Sequence, residues 1–162
     1  MAIDKVRNYF KAYGIEERIQ EFEQSSATVD LAAEAVGVEP ARICKTLSFK
    51  IPEKKRCILI QMAGDCRIDN KKFRKYFGYK AKMLDPGEVV EYTGHQIGGV
   101  CAFGIEREDV VTYCDVSLQR FHTVFPACGS DNSAIELTCD ELYRYSEARE
   151  WIDVGKLPGS DK

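Results

Sequence analysis

The chain has 162 residues, 44% hydrophobic and 30% charged, with a formal net charge of −3. That composition excludes a disordered chain and fits one domain with a single core. No apolar run approaches the roughly 20 residues that span a bilayer. The start, MAIDKVRNYF, has no apolar stretch of a secretory signal, so a cytoplasmic location away from membranes is expected.

Residues 2–14 carry Ile3, Val6, Tyr9 and Phe10 at helical spacing and stop at Gly14. RIQEFE, residues 18–23, alternates as a short strand. Residues 26–37 read as a helix capped by Ser26 or Thr28, with Leu31, Ala32 and Ala35 inward and Gly37 at its end. In RICKTLSFKI, residues 42–51, Ile43, Lys45, Leu47, Phe49 and Ile51 alternate with Thr46, Ser48 and Lys50, the period of a half-buried strand. PEKK makes a hairpin connection to an apolar partner strand, KRCILIQM. A basic helix, DNKKFRKYFG, starts at Asp69 or Asn70 and closes at Gly78. KAKML reads as a short strand, and Asp85-Pro86 opens an acidic helix.

The glycine-rich HQIGGVCAFG follows, then strands VVTYCDVSL and HTVFPAC, a loop GSDNS, and strand AIELT. Thr138 or Asp140 caps a last helix, and residues 155–162 form a polar tail. Strands in the middle flanked by helices predict a mixed α/β (α+β) single domain over residues 1–162, with a curved, mostly antiparallel sheet.

Seven cysteines are odd in number, and none stands in Cys-x-x-Cys spacing. Neither a disulfide framework nor a metal site is indicated, reduced core thiols are expected, and no cofactor is predicted. Lys45 lies among apolar residues. It is paired, deprotonated or lining a wet pocket, or else it sits on a rim with its stem over apolar neighbours. Gly94, Gly98, Gly99 and Gly104 either cradle a ligand's oxygens with backbone N–H groups or make turns. Their spacing is neither that of a P-loop nor that of a dinucleotide fold. Residues 129–132 hold a substrate's polar atoms or form a hairpin turn.

His95 and His122 lack a sequence partner for a Ser-His-Asp triad, and a Cys101 nucleophile with a histidine base remains open. Residues 71–82 hold six basic residues and no acidic one, and Lys54, Lys55 and Arg56 add three upstream. Such stretches contact phosphates or are a solvated helix face and a hairpin turn.

In order, ATVDLAAEAVGVEPARICKTLSFK, DNKKFRKYFGYKAKMLDPGEVVEYTGHQIGGVCAFG and CGSDNSAIELTCDEL resemble the YbaK/EbsC family, free-standing relatives of the editing domain inserted in bacterial prolyl-tRNA synthetase. The resemblance runs from about residue 20 to about residue 145. It implies a barrel-like sheet surrounded by helices and hydrolysis of the ester joining a wrong amino acid, Ala or Cys, to the 3′ adenosine of tRNA(Pro). By the same resemblance Lys45, Gly98 and Gly99 are catalytic. Thr46, Val100, Cys101, Gly129, Ser130 and Asn132 bind substrate. Lys71, Lys72, Arg74 and Lys75 contact tRNA, and prolyl-tRNA synthetase is a possible partner. The family loop commonly reads Gly-Gly-x-Ser/Thr-Pro-x-Gly, whereas Cys101 and Ala102 stand here in place of Ser/Thr and Pro, freeing the loop backbone. A non-catalytic module binding aminoacyl-tRNA or the synthetase is the alternative.

Overall fold

In the computed structural model, which describes residues 2–159, α1 (Ala2–Lys11) buries Ile3, Val6 and Phe10 at the expected spacing. β1 (Gln20–Glu21) is two residues long and exposed. α2 (Val29–Val36) is capped by Thr28, whose hydroxyl accepts from the Leu31 amide. Its inward pair is Ala32 and Ala33, packed on Ile43 and Phe125, while Leu31 is 39% exposed. Small side chains let this short helix lie close to the sheet, which rotates Leu31 outward.

β2 (Ile43–Lys50) and β3 (Cys57–Ala63) form the expected hairpin, with Lys45 opposite Met62 and Thr46 opposite Gln61. β4 (Arg67–Ile68), α3 (Asn70–Phe77) and α4 (Pro86–Thr93) follow. Asp69 caps α3, and Asp85 and Glu88 make a reciprocal capping box on α4, each cap contributing about 1 kcal/mol. KAKML is not a strand. The Lys50 amide donates to the Lys82 carbonyl and the Leu84 amide to that of Ser48, giving one bridge between Phe49 and Met83. Asp85-Pro86 then turns the chain into α4 before a ladder can extend.

β5 (Val110–Asp115) ends where the Asp115 carboxylate accepts from the Ser117 and Val154 amides. β6 (Thr123–Pro126), β7 (Ser133–Ala134), β8 (Leu137–Thr138), α5 (Cys139–Tyr145), β9 (Trp151–Ile152) and β10 (Gly155–Lys156) complete the chain. AIELT is therefore split: β7 pairs with β1, and β8 pairs with β6. The polar tail begins later than expected, since Gly155 is buried and β10 pairs with β4. Residues 160–162 of that tail lie outside the described residues.

The curled main sheet has the order β8-β6-β2-β3-β5-β9. Among the described residues four of the seven ladders are antiparallel. Within the six-stranded sheet, however, β2–β6, β3–β5 and β5–β9 are parallel. Parallel neighbours need long crossovers, and α3, α4 and the glycine loop supply the one from β3 to β5. β3, inside the sheet, is buried along its whole length. All seven thiols are free, six of them buried. No helix among the described residues is long and apolar enough to cross a membrane.

Candidate active site

Successive side chains of β2 point to opposite sides of the sheet. On one side Phe49 packs on Phe73 of α3, their ring centroids 5.0 Å apart, and the aromatic contacts continue through Phe77 to Tyr113. On the other side Thr46 and Ser48 wall a cavity of about 250 Å³. Its remaining wall comes from the start of α2, from Gly98 and Val100 of the glycine loop, and from Ser133 and Ala134 of β7. Apolar groups of Ala32, Ile43, Val89 and Phe125 line it as well, and Met83 and Ile97 stand largely exposed beside it.

Two hydroxyls in this wall, Ser26 Oγ and Thr46 Oγ1, are buried and have no hydrogen-bond partner among the described residues. An unsatisfied buried hydroxyl costs about 1–3 kcal/mol, which a polar occupant removes. Both hydroxyls belong to residues of the cavity lining, which places unpaired polar groups at an otherwise largely apolar wall. The volume lies just below the roughly 300–1,000 Å³ of drug-sized sites.

Lys45 lines the same cavity and is half-buried. Its ammonium donates to the Cys66 carbonyl and, at 3.4 Å, to the Gly64 carbonyl. An ammonium has three N–H donors, so one is left without a partner among the described residues. Burial pulls its pKa below the ordinary lysine value, and the nearby Cys66 and Asp65 oppose that shift. By the strand alternation the Lys45 side chain leaves β2 on the side of Phe49, and its ammonium is paired with the loop after β3. The alternatives left open by the sequence thus resolve into a paired lysine that also contributes to the cavity lining.

The glycine loop divides its work. Gly98, at φ +100°, lines the cavity in a backbone conformation that side-chain-bearing residues rarely adopt. Gly99 does not line it. Its amide donates to the Gln96 carbonyl at 3.0 Å, and a Cβ there would meet the Ser130 backbone at 2.7 Å. Gly99 therefore closes the loop onto residues 129–132, and its N–H is unavailable to a ligand. The Gly98 and Val100 amides carry no hydrogen bond among the described residues.

Gly129, Ser130 and Asn132, expected to touch substrate, do not line the cavity. Ser130 Oγ donates to Asn132 Oδ1 and accepts from Ser133 Oγ, Asn132 Nδ2 donates to the Phe22 carbonyl, and Gly129 abuts the Ala2 carbonyl. These groups tie the loop to the segment after β1. The neighbouring Ser133 faces the cavity instead. The Cys101 side chain, also expected to touch substrate, does not line the cavity. It is fully buried, outside the cavity wall, with Sγ 3.5 Å from His95 Nε2. Burial raises the thiol to about 12 and lowers the imidazole, so the pair rests as thiol and neutral imidazole. His122 is exposed and elsewhere.

The basic helix α3 stands across β2 from the cavity wall, because Phe73 packs on Phe49, whose neighbours Ser48 and Lys50 point the other way. Lys72 is held by Asp153 and the Gly155 carbonyl, and Lys71, Arg74 and Lys75 are exposed. None of the four lines the cavity.

Comparison with known proteins gives this geometry a family. The profile of the aminoacyl-tRNA editing domain matches residues 23–145. The chain is 56% identical over 156 residues to the uncharacterised protein YwhH of Bacillus subtilis, covering 96% of this chain and 98% of that one. It is 27% identical over 116 residues to EbsC of Enterococcus faecalis, named as a candidate Cys-tRNA(Pro)/Cys-tRNA(Cys) deacylase, covering 71% and 70%. A proline–tRNA ligase of Limosilactobacillus fermentum is 30% identical over 96 residues, 57% of this chain and 17% of that one. Among solved structures, a candidate trans-editing enzyme for prolyl tRNA synthetase superposes with a TM-score of 0.84 at 28% identity, covering 96% and 97%. The chain belongs to the aminoacyl-tRNA editing domain family, of the YbaK/EbsC type.

Proposed function

We propose that this protein is a trans-editing deacylase that hydrolyses the ester of mischarged Ala- or Cys-tRNA(Pro) in the cytoplasm, with prolyl-tRNA synthetase as the source of its substrate. The observation that carries this reading is a cavity of about 250 Å³ in which two buried hydroxyls, two amides and one ammonium donor lack partners. An aminoacyl ester is already activated, so hydrolysis needs a placed water and donors for the developing oxyanion rather than a full triad. The Gly98 and Val100 amides receive the negative charge as water adds to the carbonyl carbon. The free N–H of Lys45 holds the 3′ end of the tRNA. The ribose 2′-OH relays the proton of the attacking water to the departing 3′ oxygen, leaving free amino acid and tRNA. Ser26 and Thr46 bond the polar atoms of the amino acid, and the apolar wall limits its side chain to a small one.

The test is to incubate Ala-, Cys- and Ser-charged tRNA(Pro) with wild type, Lys45→Ala and Cys101→Ala, and to follow loss of the ester. The reading predicts hydrolysis that Lys45→Ala slows by about 10²–10³-fold and Cys101→Ala retains. Tight binding with no turnover by wild type would overturn it in favour of a non-catalytic module. Loss on Cys101→Ala alone would indicate a thiol nucleophile, against the fully buried Sγ.

A further inference from the structure

A second depression, of about 600 Å³, adjoins the cavity. Leu84 lines both, and β2 runs from one to the other, giving Ser48 to the cavity and Lys50 to its neighbour. The turn after β2 walls one side, and residues 80–82, held by the Lys50 amide to Lys82 carbonyl bond, wall another. Lys50, Lys54, Lys55, Arg56, Lys80 and Lys82 line it against only Glu53 and Glu88. That is a surplus of four positive charges on a chain of net −3. Lys50 is neutralised by Glu88 at 3.0 Å. Lys54, Lys55, Lys80 and Lys82 are exposed and have no ion pair among the described residues. Four unpaired cations around one concave surface repel one another, and an anion with several charges relieves that.

We infer that this cleft binds the backbone phosphates of the acceptor end of the tRNA whose 3′ ester enters the cavity, an inference that rests on the deacylase reading. Four strand residues separate Thr46 from Lys50, about 13 Å, or roughly four nucleotides at about 3.4 Å of rise each. A strand leaving the cavity along β2 therefore meets these lysines within its first few phosphates. The cations of α3 lie across β2 from that path. The contact expected of Lys71, Lys72, Arg74 and Lys75 thus passes to the hairpin turn and residues 80–82.

The experiment compares Lys54→Gln/Lys55→Gln/Lys80→Gln/Lys82→Gln with Lys71→Gln/Arg74→Gln/Lys75→Gln, all at exposed positions, after matching their melting temperatures to wild type. Binding of uncharged tRNA(Pro) is followed by fluorescence anisotropy over about 50–200 mM salt. The cleft variant is expected to bind roughly 10-fold more weakly at low salt, with a log–log salt slope shallower by about 3, while the helix variant keeps the wild-type slope. It also lowers hydrolysis of aminoacyl-tRNA relative to aminoacyl-adenosine, which has no phosphate. Wild-type affinity and slope in the cleft variant, or the loss appearing in the helix variant instead, would overturn the inference and leave the deacylase reading intact. If wild type hydrolyses neither ester, the deacylase reading fails, and the binding comparison still decides the cleft.

Discussion

The two faces of β2 are built to opposite specifications. Toward α3, Phe49, Phe73 and Phe77 fill space as tilted ring pairs, and Phe49 and Phe73 are buried to within 2%. Toward the cavity, three residues away along the same strand, the Thr46 hydroxyl is buried and without a hydrogen-bond partner among the described residues. Both sides belong to one backbone, so the difference lies in what stands opposite: α3 brings aromatic rings to one face, and the glycine loop brings bare backbone to the other. Where packing is complete the residues hold the fold. Where hydrogen-bonding groups are left over, the proposed function gives them a ligand.

Substitutions on each face should therefore separate stability from activity. Phe73→Ala deletes the centre of the aromatic layer and should cost about 3–5 kcal/mol in urea unfolding, with the rate per folded molecule unchanged. A fall in the rate per folded molecule, measured where the variant is still folded, would erase the division between the faces. Gly99→Ala drives a methyl into the Ser130 backbone and should cost about 1–3 kcal/mol. It should also open the junction of the two loops, so ester hydrolysis falls together with the melting temperature.

Thr46→Val tests the cavity face by the reverse signature. Removing an unsatisfied hydroxyl should leave stability equal or raise it by about 1 kcal/mol, while kcat/KM for the mischarged tRNA falls roughly 5–10-fold. A destabilised variant would mean that the hydroxyl has a partner in the folded protein.

The smallest effect concerns pH. Burial holds His95 below the ordinary imidazole value of 6.5. The unfolded chain regains that ordinary value, so between the two it binds more protons than the folded one. Stability then falls as the pH drops below about 6.5. His95→Asn should flatten this acid limb, read as urea midpoints at two pH values either side of it. Parallel limbs in variant and wild type would show that the imidazole is not held neutral.

Much of this was legible in the sequence, for identifiable reasons. Helix caps at Thr28, Asp69, Asp85 and Thr138 are local, and each was among the residues that the pattern offered. Lys45 stood out because a cation broke a strict alternation, and the structure seats it in a cavity wall. The resemblance likewise carried the family. What the pattern missed is tertiary. Ser26 reads as a helix cap until Thr28 takes that place, which leaves its buried hydroxyl without a partner in a residue that lines the cavity. Ser130 and Asn132 have polar side chains suited to a ligand, yet the same atoms satisfy their own loop and the Phe22 carbonyl. The charge of α3 was plain, but its direction depends on which face of β2 receives Phe73. Parallel ladders such as β5–β9 join residues distant in sequence, and Trp151–Ile152 is too short for a strand period to register.

The most direct measurement is single-turnover hydrolysis of Ala- and Cys-tRNA(Pro) by wild type and by Lys45→Ala with an unchanged melting temperature. If the ammonium grips the charged end of the tRNA inside the cavity, the variant should be slower by about 10²–10³-fold, the loss seen when one preorganised donor is removed. Equal rates in the two proteins would contradict the account.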